Sequence, residues 1–335
     1  MNPHAARPVR TTLPLYSQDA VTKNVLLFDG LSRAGKTLVG TLVSEFPRLE
    51  FVQLADVVDY IPTLWHFGLI DDQAAPAFLR MTVDSYTYQR IIGRNLNTRK
   101  ADAITSVYRS VKAEAILQRA SGDEGWEPVE RFNHEGRVTC YITHETLPHQ
   151  DLWFRAFPEL RIVLSVRHPV DVCYSWHSRG LGSRLGTDPL AFTPVADIGG
   201  KPVPIFALDC PDEYQRATPL NRIVLCVLAM QRMYDRALAS LSKDRARRVQ
   251  TVAFEHMATN PMAELRRLAD WLDTTLHPDM AAALAREGVP RTIEPAEQRR
   301  RLDVLAGEVE PALIDQLLET VAVYERRWGL PSVAA

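Results

Sequence analysis

Apolar and polar residues follow one another along the chain with two different periods. Short apolar runs that are typical of buried strands lie at 25–30, 49–56, 137–145, 160–169 and 248–257. Helical spacing of apolar residues is found at 36–46, 151–157, 170–180, 219–241, 260–273, in most of 57–120 and in 295–329. Strands that alternate with helices favour an α/β fold of three layers, a parallel sheet with helices on both faces and one helical insertion.

Several stretches interrupt this alternation. Residues 1–20 carry prolines and polar residues without periodicity, which predicts a flexible arm before a single α/β domain over 21–330. A polar break is predicted at 122–136. Residues 57–130 and 180–216 are the predicted insertions. Since the second of these is rich in glycine and proline, we expect it to be a long loop that serves as a lid or a binding segment.

A phosphate-binding motif lies between the first predicted strand and the first predicted helix. In FDGLSRAGKTLVG (28–40), Gly30 is followed after four residues by Gly35, Lys36 and Thr37, which matches G-x-x-x-x-G-K-[ST]. The strand–turn–helix context is the one that the motif requires, so a P-loop nucleotide-binding architecture is predicted. An ATP or GTP loop would indicate a kinase or a hydrolase, and a loop for another nucleotide would indicate a different reaction.

The residues at the carboxyl ends of the strands bear on that choice, because ligands of parallel sheets bind there. A kinase needs an aspartate for magnesium at such an end. Three of the predicted strands end instead in Arg167, in His144 and Glu145, and in Glu255. Only Asp56, at the end of the second strand, is a candidate for the magnesium-binding aspartate, and it is a weak one. This pattern favours a nucleotide that basic side chains bind without a metal.

The segment SVRHPVDVCYSWH (165–177) resembles the 3′-phosphate-binding segment of sulfotransferases that use 3′-phosphoadenosine 5′-phosphosulfate (PAPS). In that family an apolar strand is followed by an arginine and, eight residues later, by a serine, as Arg167 and Ser175 are here. A guanidinium at a strand end makes charge-assisted contacts to phosphate, and the serine comes from the first part of a helix whose N-terminus favours anions.

The motif near the start of the chain resembles the 5′-phosphosulfate loop of the same family. The resemblance implies that the loop binds the donor through Arg33, Ala34, Gly35, Lys36, Thr37 and Leu38. Lys36 departs from the family pattern, which has threonine there. The segment 252–273 is similar to the family's late strand-and-helix unit, which we interpret as structural. The family's late basic loop is not found, and Arg299–Arg301 is interpreted as a solvated helix face.

The resemblance also implies a mechanism for transfer of the sulfuryl group. A cation must lie beside the leaving phosphate, and Lys36 and Arg33 are the candidates. The acceptor needs a base, for which His144 is the first candidate and Glu145 the rival. The lysine that precedes this histidine in the family is missing, so Lys36 is the candidate for its role.

Composition narrows the class of partner. The 335 residues have a net charge of −2, so no basic field indicates nucleic acid. Four cysteines form no disulfide or metal pattern, and no apolar run predicts a signal peptide or a membrane span. We therefore expect a cytoplasmic enzyme. The residues at the strand ends predict that it needs no metal, and the family resemblance implies an acceptor that is a small molecule or a carbohydrate. The sequence leaves open whether it forms a homodimer.

The sequence thus predicts a PAPS-dependent sulfotransferase that sulfates a hydroxyl or an amine. The alternatives are a P-loop kinase that phosphorylates a small molecule and, without catalysis, a nucleotide-binding regulatory module. The helices of 57–120 and the segment 180–216 are expected to line the acceptor pocket. The aromatic residues that could stack on an acceptor there are Tyr60, Trp65, Tyr86 and Tyr88.

Overall fold

The computed structural model describes residues 20–333, so the predicted arm lies outside them except for its last residue. The strands are β1 (Val25–Asp29), β2 (Gln53–Leu54), β3 (Thr139–Ile142), β4 (Arg161–Val166), β5 (Val195–Ile198), β6 (Lys201–Pro204) and β7 (Val249–Ala253). Within the described residues one parallel sheet has the order β2-β3-β1-β4-β7, and β5 and β6 form a separate antiparallel hairpin.

Helices connect the strands of the sheet. The α-helices are α1 (Lys36–Val43), α2 (Asp56–His66), α3 (Ala74–Ile91), α4 (Ala113–Leu117), α5 (Trp126–His134), α6 (Gln150–Ala156), α7 (Pro169–His177), α8 (Leu181–Arg184), α9 (Pro211–Arg216), α10 (Pro219–Ser240), α11 (Lys243–Arg247), α12 (Phe254–Thr259), α13 (Pro261–Trp271), α14 (Met280–Glu287), α15 (Pro295–Ala306) and α16 (Pro311–Trp328). Short 3₁₀ turns lie at Val107–Arg109, Gln118–Ser121, Leu147–His149, Pro189–Ala191 and Ile205–Ala207. Among residues 20–333 no helix combines the length and the hydropathy needed to cross a bilayer.

The central strand β1 is buried on both faces, which explains its continuous apolar sequence. Its side chains alternate between two cores. Val25 and Leu27 pack with residues of α3, α6, α10 and α16, whereas Leu26 and Phe28 pack with residues of α1, α13 and α14 on the opposite face. The three-layer parallel α/β fold predicted from the sequence is therefore confirmed.

Local predictions failed where tertiary contacts decide the structure. The polar break at 122–136 contains α5, which forms because Val129 and Phe132 bury one face of an otherwise polar helix. The helix predicted over 101–120 is broken into α4 and two 3₁₀ turns, and 101–106 is irregular. There the carboxylate of Asp102 accepts the backbone N–H groups of Ile104 and Thr105 and so favours a turn.

Two other predicted segments have different shapes from those expected. The strand predicted at 49–56 is regular only over β2, and Leu49 pairs with Val138 through an isolated bridge. The segment 180–216 is not a plain loop, because it contains α8, the β5–β6 hairpin and α9.

The glycine after β1 is required by the parallel pairing with β4. Asp29 pairs with Leu164, which places Gly30 directly against the backbone of Ser165. Gly30 has a φ of +138°, and a Cβ at this position would overlap the carbonyl oxygen of Ser165. Only glycine allows the chain to leave the sheet here and to enter the phosphate loop.

Replacement of this glycine should therefore destabilise the whole fold. An alanine at a position with positive φ is destabilising by itself. We expect Gly30→Ala to lower the free energy of unfolding by about 2 kcal/mol or more beyond that cost, because the carbonyl oxygen of Ser165 belongs to the sheet and cannot move aside easily. Gly199→Ala is the control, since Gly199 has a φ of +64° but open space around its Cβ position. Urea unfolding measures both variants, and equal losses would contradict this explanation.

Candidate active site

The phosphate loop connects the end of β1 to the start of α1. Arg33 and Gly35 have φ angles of +73° and +96°, so the loop curls back before the helix begins. No side chain of residues 20–333 caps the first turn of α1. The first backbone N–H groups of α1 therefore keep their hydrogen-bonding capacity, which together with the helix dipole suits an anion.

The two predicted nucleotide-binding segments lie side by side. Nε of Arg33 donates to Oγ of Ser175 over 3.1 Å, and a guanidinium nitrogen of Arg167 lies 3.3 Å from the carbonyl oxygen of Arg33. The indole N–H of Trp176 donates to the carbonyl of Ser32 over 2.9 Å. Segments that are about 140 residues apart in the sequence are thus joined by direct contacts.

These segments border a cavity of about 930 Å³. Its basic lining residues are Arg33, Lys36, Arg167, Arg179, Arg291, Arg300 and Arg301, and the backbone of the phosphate loop lies among them. Four carboxylates also line it, those of Asp171, Glu287, Glu294 and Glu297. Arg301 lies 2.6 Å from Asp171 and 3.3 Å from Glu297, and Glu287 pairs with Arg109. The seven cations of the lining therefore outnumber its four carboxylates. The remaining cations leave a cavity suited to an anionic ligand.

Positive charges are crowded near the loop. Burial lowers the pKa of the Arg33 guanidinium, and the neighbouring Arg179 and Arg167 lower it further. Among residues 20–333 no carboxylate forms an ion pair with Arg33, Arg179 or Arg291. An anion bound between these side chains would relieve their repulsion and would compensate for their burial.

Four basic residues of this cavity, Arg179, Arg291, Arg300 and Arg301, were given no binding role at the level of sequence. The guanidinium of Arg291 lies 5.1 Å from the centre of the Phe254 ring, and that of Arg167 lies 4.3 Å from the same centre. The interpretation of Arg299–Arg301 as a solvated face is wrong for Arg301, which is bonded to Asp171 and lines the cavity.

The period of α15 could have indicated the position of Arg301, because Gln298, Leu302 and Leu305 are buried on the same side of the helix. Gln298 donates to the same carboxylate of Asp171 as Arg301 does. No comparable pattern surrounds Arg291, which lies in a loop after α14.

The turn after β3 is held against the phosphate loop by a buried carboxylate. Asp29, the last residue of β1, accepts the backbone N–H groups of Thr146 and Leu147 over 3.1 and 2.7 Å. The hydroxyl of Tyr234 on α10 donates to the same carboxylate over 3.2 Å. This arrangement brings His144 and Glu145 close enough to Lys36 for their charges to interact. Asp29 was not among the residues predicted for the site.

The three predicted catalytic side chains influence one another. Burial and the positive charge of Lys36 together lower the pKa of His144 to about 4, against the opposing effects of nearby carboxylates, that of Glu145 first among them. Burial raises the pKa of Glu145 to about 7, against the opposing effects of His144 and Lys36. Nζ of Lys36 is buried, where desolvation lowers its pKa, and it donates to the carbonyl of Gly30 over 2.5 Å.

A second cavity of about 260 Å³ adjoins the first and shares Ser32, Leu54 and His144 with it. Its apolar wall is formed by Trp176, Leu181, Leu185, Phe192, Ile205 and Phe206. Its polar corner contains carboxylates of α2 and Glu145. His144 therefore lies at the boundary between a cavity lined by cations and a smaller cavity that is partly apolar.

The predicted insertions contribute to this smaller cavity, but only one of the four proposed aromatic residues does. Tyr60 lines it and donates its hydroxyl to the carbonyl of Phe192 over 3.0 Å, which links α2 to the segment 180–216. Trp65 donates instead to Asp72, and the hydroxyl of Tyr88 accepts the N–H of Gly125. The fourth, Tyr86, packs against the main core.

Metal-ligating side chains are not clustered in the part of the chain that the structure describes. No group of three or more His, Cys, Asp or Glu residues within 20–333 has an arrangement that could hold a metal ion.

The low pKa of His144 gives a direct prediction. In the ligand-free protein we expect its imidazole to titrate near pH 4, because burial and Lys36 both disfavour the charged ring. The ring is then neutral, and able to accept a proton, at every pH well above that value. A titration of the histidine Cε1–H NMR signals, with His144→Gln used for assignment, measures this pKa. A midpoint at or above the ordinary value of about 6.5 would contradict the prediction.

No protein-family model and no curated protein matches the chain. The chain is similar to the solved structure of a sulfotransferase domain from the Synechococcus PCC 7002 olefin synthase, with a TM-score of 0.47, 14% identity, and coverage of 91% of this chain and 97% of that one. A sulfotransferase domain from the curacin biosynthetic pathway has a TM-score of 0.44 and 12% identity, and covers 77% of this chain and 76% of its own. The sulfotransferase STF1 from Mycobacterium tuberculosis has a TM-score of 0.40 and 14% identity, and the match covers 84% of this chain and 76% of that one.

Proposed function

We propose that this protein is a sulfotransferase that moves the sulfuryl group of PAPS to a hydroxyl or an amine of a small-molecule or carbohydrate acceptor. One observation carries the proposal. The loop over 30–35 and Arg167, each suited to an anion, line one cavity. Ser175 lies beside them, since Arg33 of the loop donates to its hydroxyl over 3.1 Å. A nucleotide with anionic groups at both its 5′ and its 3′ positions matches two such sites in one cavity.

The residues present fit this donor. The N-terminus of α1, with Arg33, Lys36 and Thr37, would hold the 5′-phosphosulfate. Arg167 and Ser175 would hold the 3′-phosphate, and the nearby Arg291 and Arg301 would add positive charge. The backbone N–H groups from Gly35 to Leu38 complete the proposed donor site, whereas that of Ala34 donates to the carbonyl of Leu31 over 3.0 Å. The volume of about 930 Å³ lies within the usual range of ligand sites, which is about 300–1,000 Å³.

PAPS supplies a sulfuryl group that is already attached to a phosphate leaving group. The chain's own contribution is to position the two partners and to stabilise charge. Lys36 and Arg33 would stabilise the negative charge of the leaving phosphate. His144, neutral because burial lowers its pKa to about 4, would accept the proton of the acceptor, and Glu145 is the alternative base.

The smaller cavity is the proposed acceptor site. It touches His144 on one side, and its apolar wall and volume of about 260 Å³ suit a compact acceptor with an apolar body. Because Tyr60 is bonded to Phe192, the segment 180–216 forms one wall of the cavity and is proposed to close over the acceptor.

A binding experiment separates this function from the kinase alternative. We expect 3′-phosphoadenosine 5′-phosphate to raise the thermal unfolding temperature in the presence of EDTA, because basic side chains alone neutralise it. ATP with magnesium should have a smaller effect at the same concentration. Stronger stabilisation by ATP with magnesium would instead favour a P-loop kinase, and no stabilisation by either would favour neither enzyme.

The role of Arg167 can be tested against an arginine at the other end of the same strand. We expect Arg167→Ala to weaken binding of 3′-phosphoadenosine 5′-phosphate by about 10- to 100-fold, since a charge-assisted contact contributes about 1.5–3 kcal/mol. Arg161→Ala is the matched control, because Arg161 also packs over an aromatic ring and pairs with Asp273, but lies at the start of β4. Calorimetry measures both affinities, and an equal effect of the two substitutions would contradict the assignment.

A further inference from the structure

Asp59 holds His144 by two contacts at once. On α2, its carboxylate accepts the backbone N–H of His144 at Oδ1 over 3.0 Å, and its Oδ2 lies 3.2 Å from Nδ1 of the same residue. The Asp59 side chain is only 13% exposed, so water competes little for these contacts. The ring and the backbone of His144 are therefore both oriented by one side chain, which comes from the predicted insertion.

These contacts distinguish the two nitrogens of the imidazole. Nδ1 is engaged by Asp59, whereas Nε2 forms no hydrogen bond with any residue of 20–333. The side chain of His144 is 36% exposed and lines both cavities. A carboxylate that accepts Nδ1–H leaves the lone pair of the ring on Nε2, which is the arrangement that a general base requires.

We propose that Asp59 is a positioning residue that keeps the proton of His144 on Nδ1 and leaves Nε2 free to accept the proton of the acceptor. The catalytic part of this proposal rests on the proposed sulfuryl transfer. The tautomer itself does not depend on it, because it is a property of the ligand-free protein.

The charge of Asp59 is the point on which the proposal depends. Burial raises the pKa of Asp59 well above its usual range, although the backbone N–H of His144 and the cation of Lys36 oppose this effect. The carboxylates of Asp29 and Asp56 act in the same direction as burial. A protonated Asp59 would donate to Nδ1, and the ring proton of His144 would then be on Nε2. Whether the ring proton is on Nδ1 or on Nε2 therefore shows whether Asp59 is charged or protonated.

The tautomer can be observed without a substrate. In ¹⁵N-labelled protein at pH 7 we expect the His144 spectrum to show a protonated Nδ1 and an unprotonated Nε2, with His144→Gln used for assignment. Asp59→Asn can still accept the backbone N–H of His144 through its oxygen, but its amide donates to Nδ1, so the tautomer should reverse. A proton on Nε2 in the unaltered protein, or an unchanged tautomer in Asp59→Asn, would overturn the proposal.

A kinetic comparison tests the consequence for catalysis. Transfer of labelled sulfuryl groups from PAPS to a panel of simple phenols, alcohols and amines identifies an acceptor. With that acceptor we expect Asp59→Asn to lower kcat by about 10²- to 10⁴-fold, as expected when a catalytic histidine has the wrong tautomer. The KM for PAPS should change little, and Asp59→Glu, which restores a carboxylate, should recover part of kcat.

Asp84→Asn is the matched control for a merely structural role. The carboxylate of Asp84 on α3 also accepts a backbone N–H, that of Thr22 over 2.8 Å, and lies outside both cavities. We expect this substitution to lower stability without a change in the His144 tautomer or in kcat.

If Asp59→Asn lowers stability as Asp84→Asn does but leaves kcat unchanged, the proposed role of Asp59 is wrong. If no panel member is turned over but the tautomer is as expected, the function fails and the hydrogen-bonding assignment stands.

Discussion

The site depends on one buried carboxylate, that of Asp29. It is fully shielded from solvent and accepts N–H groups from Thr146 and Leu147 and a hydroxyl from Tyr234. A buried carboxylate without such donors would be costly, so the turn after β3 and the helix α10 must close around it. Because Gly30 follows Asp29 directly, the same residue places the phosphate loop beside the turn that carries His144.

This closure creates two neighbouring cavities of opposite character. Arginines and Lys36 line the larger one, while carboxylates and apolar side chains line the smaller. His144 lies between them, and burial keeps its pKa low at about 4. In the proposed transfer, a neutral imidazole at this boundary would receive a proton on the side of the smaller cavity, while the charge of the leaving phosphate would be stabilised on the other side.

The fold is mostly predictable from local pattern. The apolar runs around β1 and β4 and the long apolar helix α10 are visible in the sequence because their period reflects burial. The helix α5 and the irregular stretch after α3 were not predictable. In the first a few apolar residues pack against a distant core, and in the second the side chain of Asp102 competes with the helical backbone.

The sequence by itself determined the order of the strands and helices, the phosphate loop and the identity of Arg167, Ser175 and His144 as candidates, because each lies in a short segment with its own pattern. Only the tertiary structure decided that Asp59, Arg291 and Arg301 belong to the same region. Their roles arise from packing between elements that are far apart in the chain. No local pattern records such contacts, since the distance and burial that give these side chains their chemistry exist only in the folded protein.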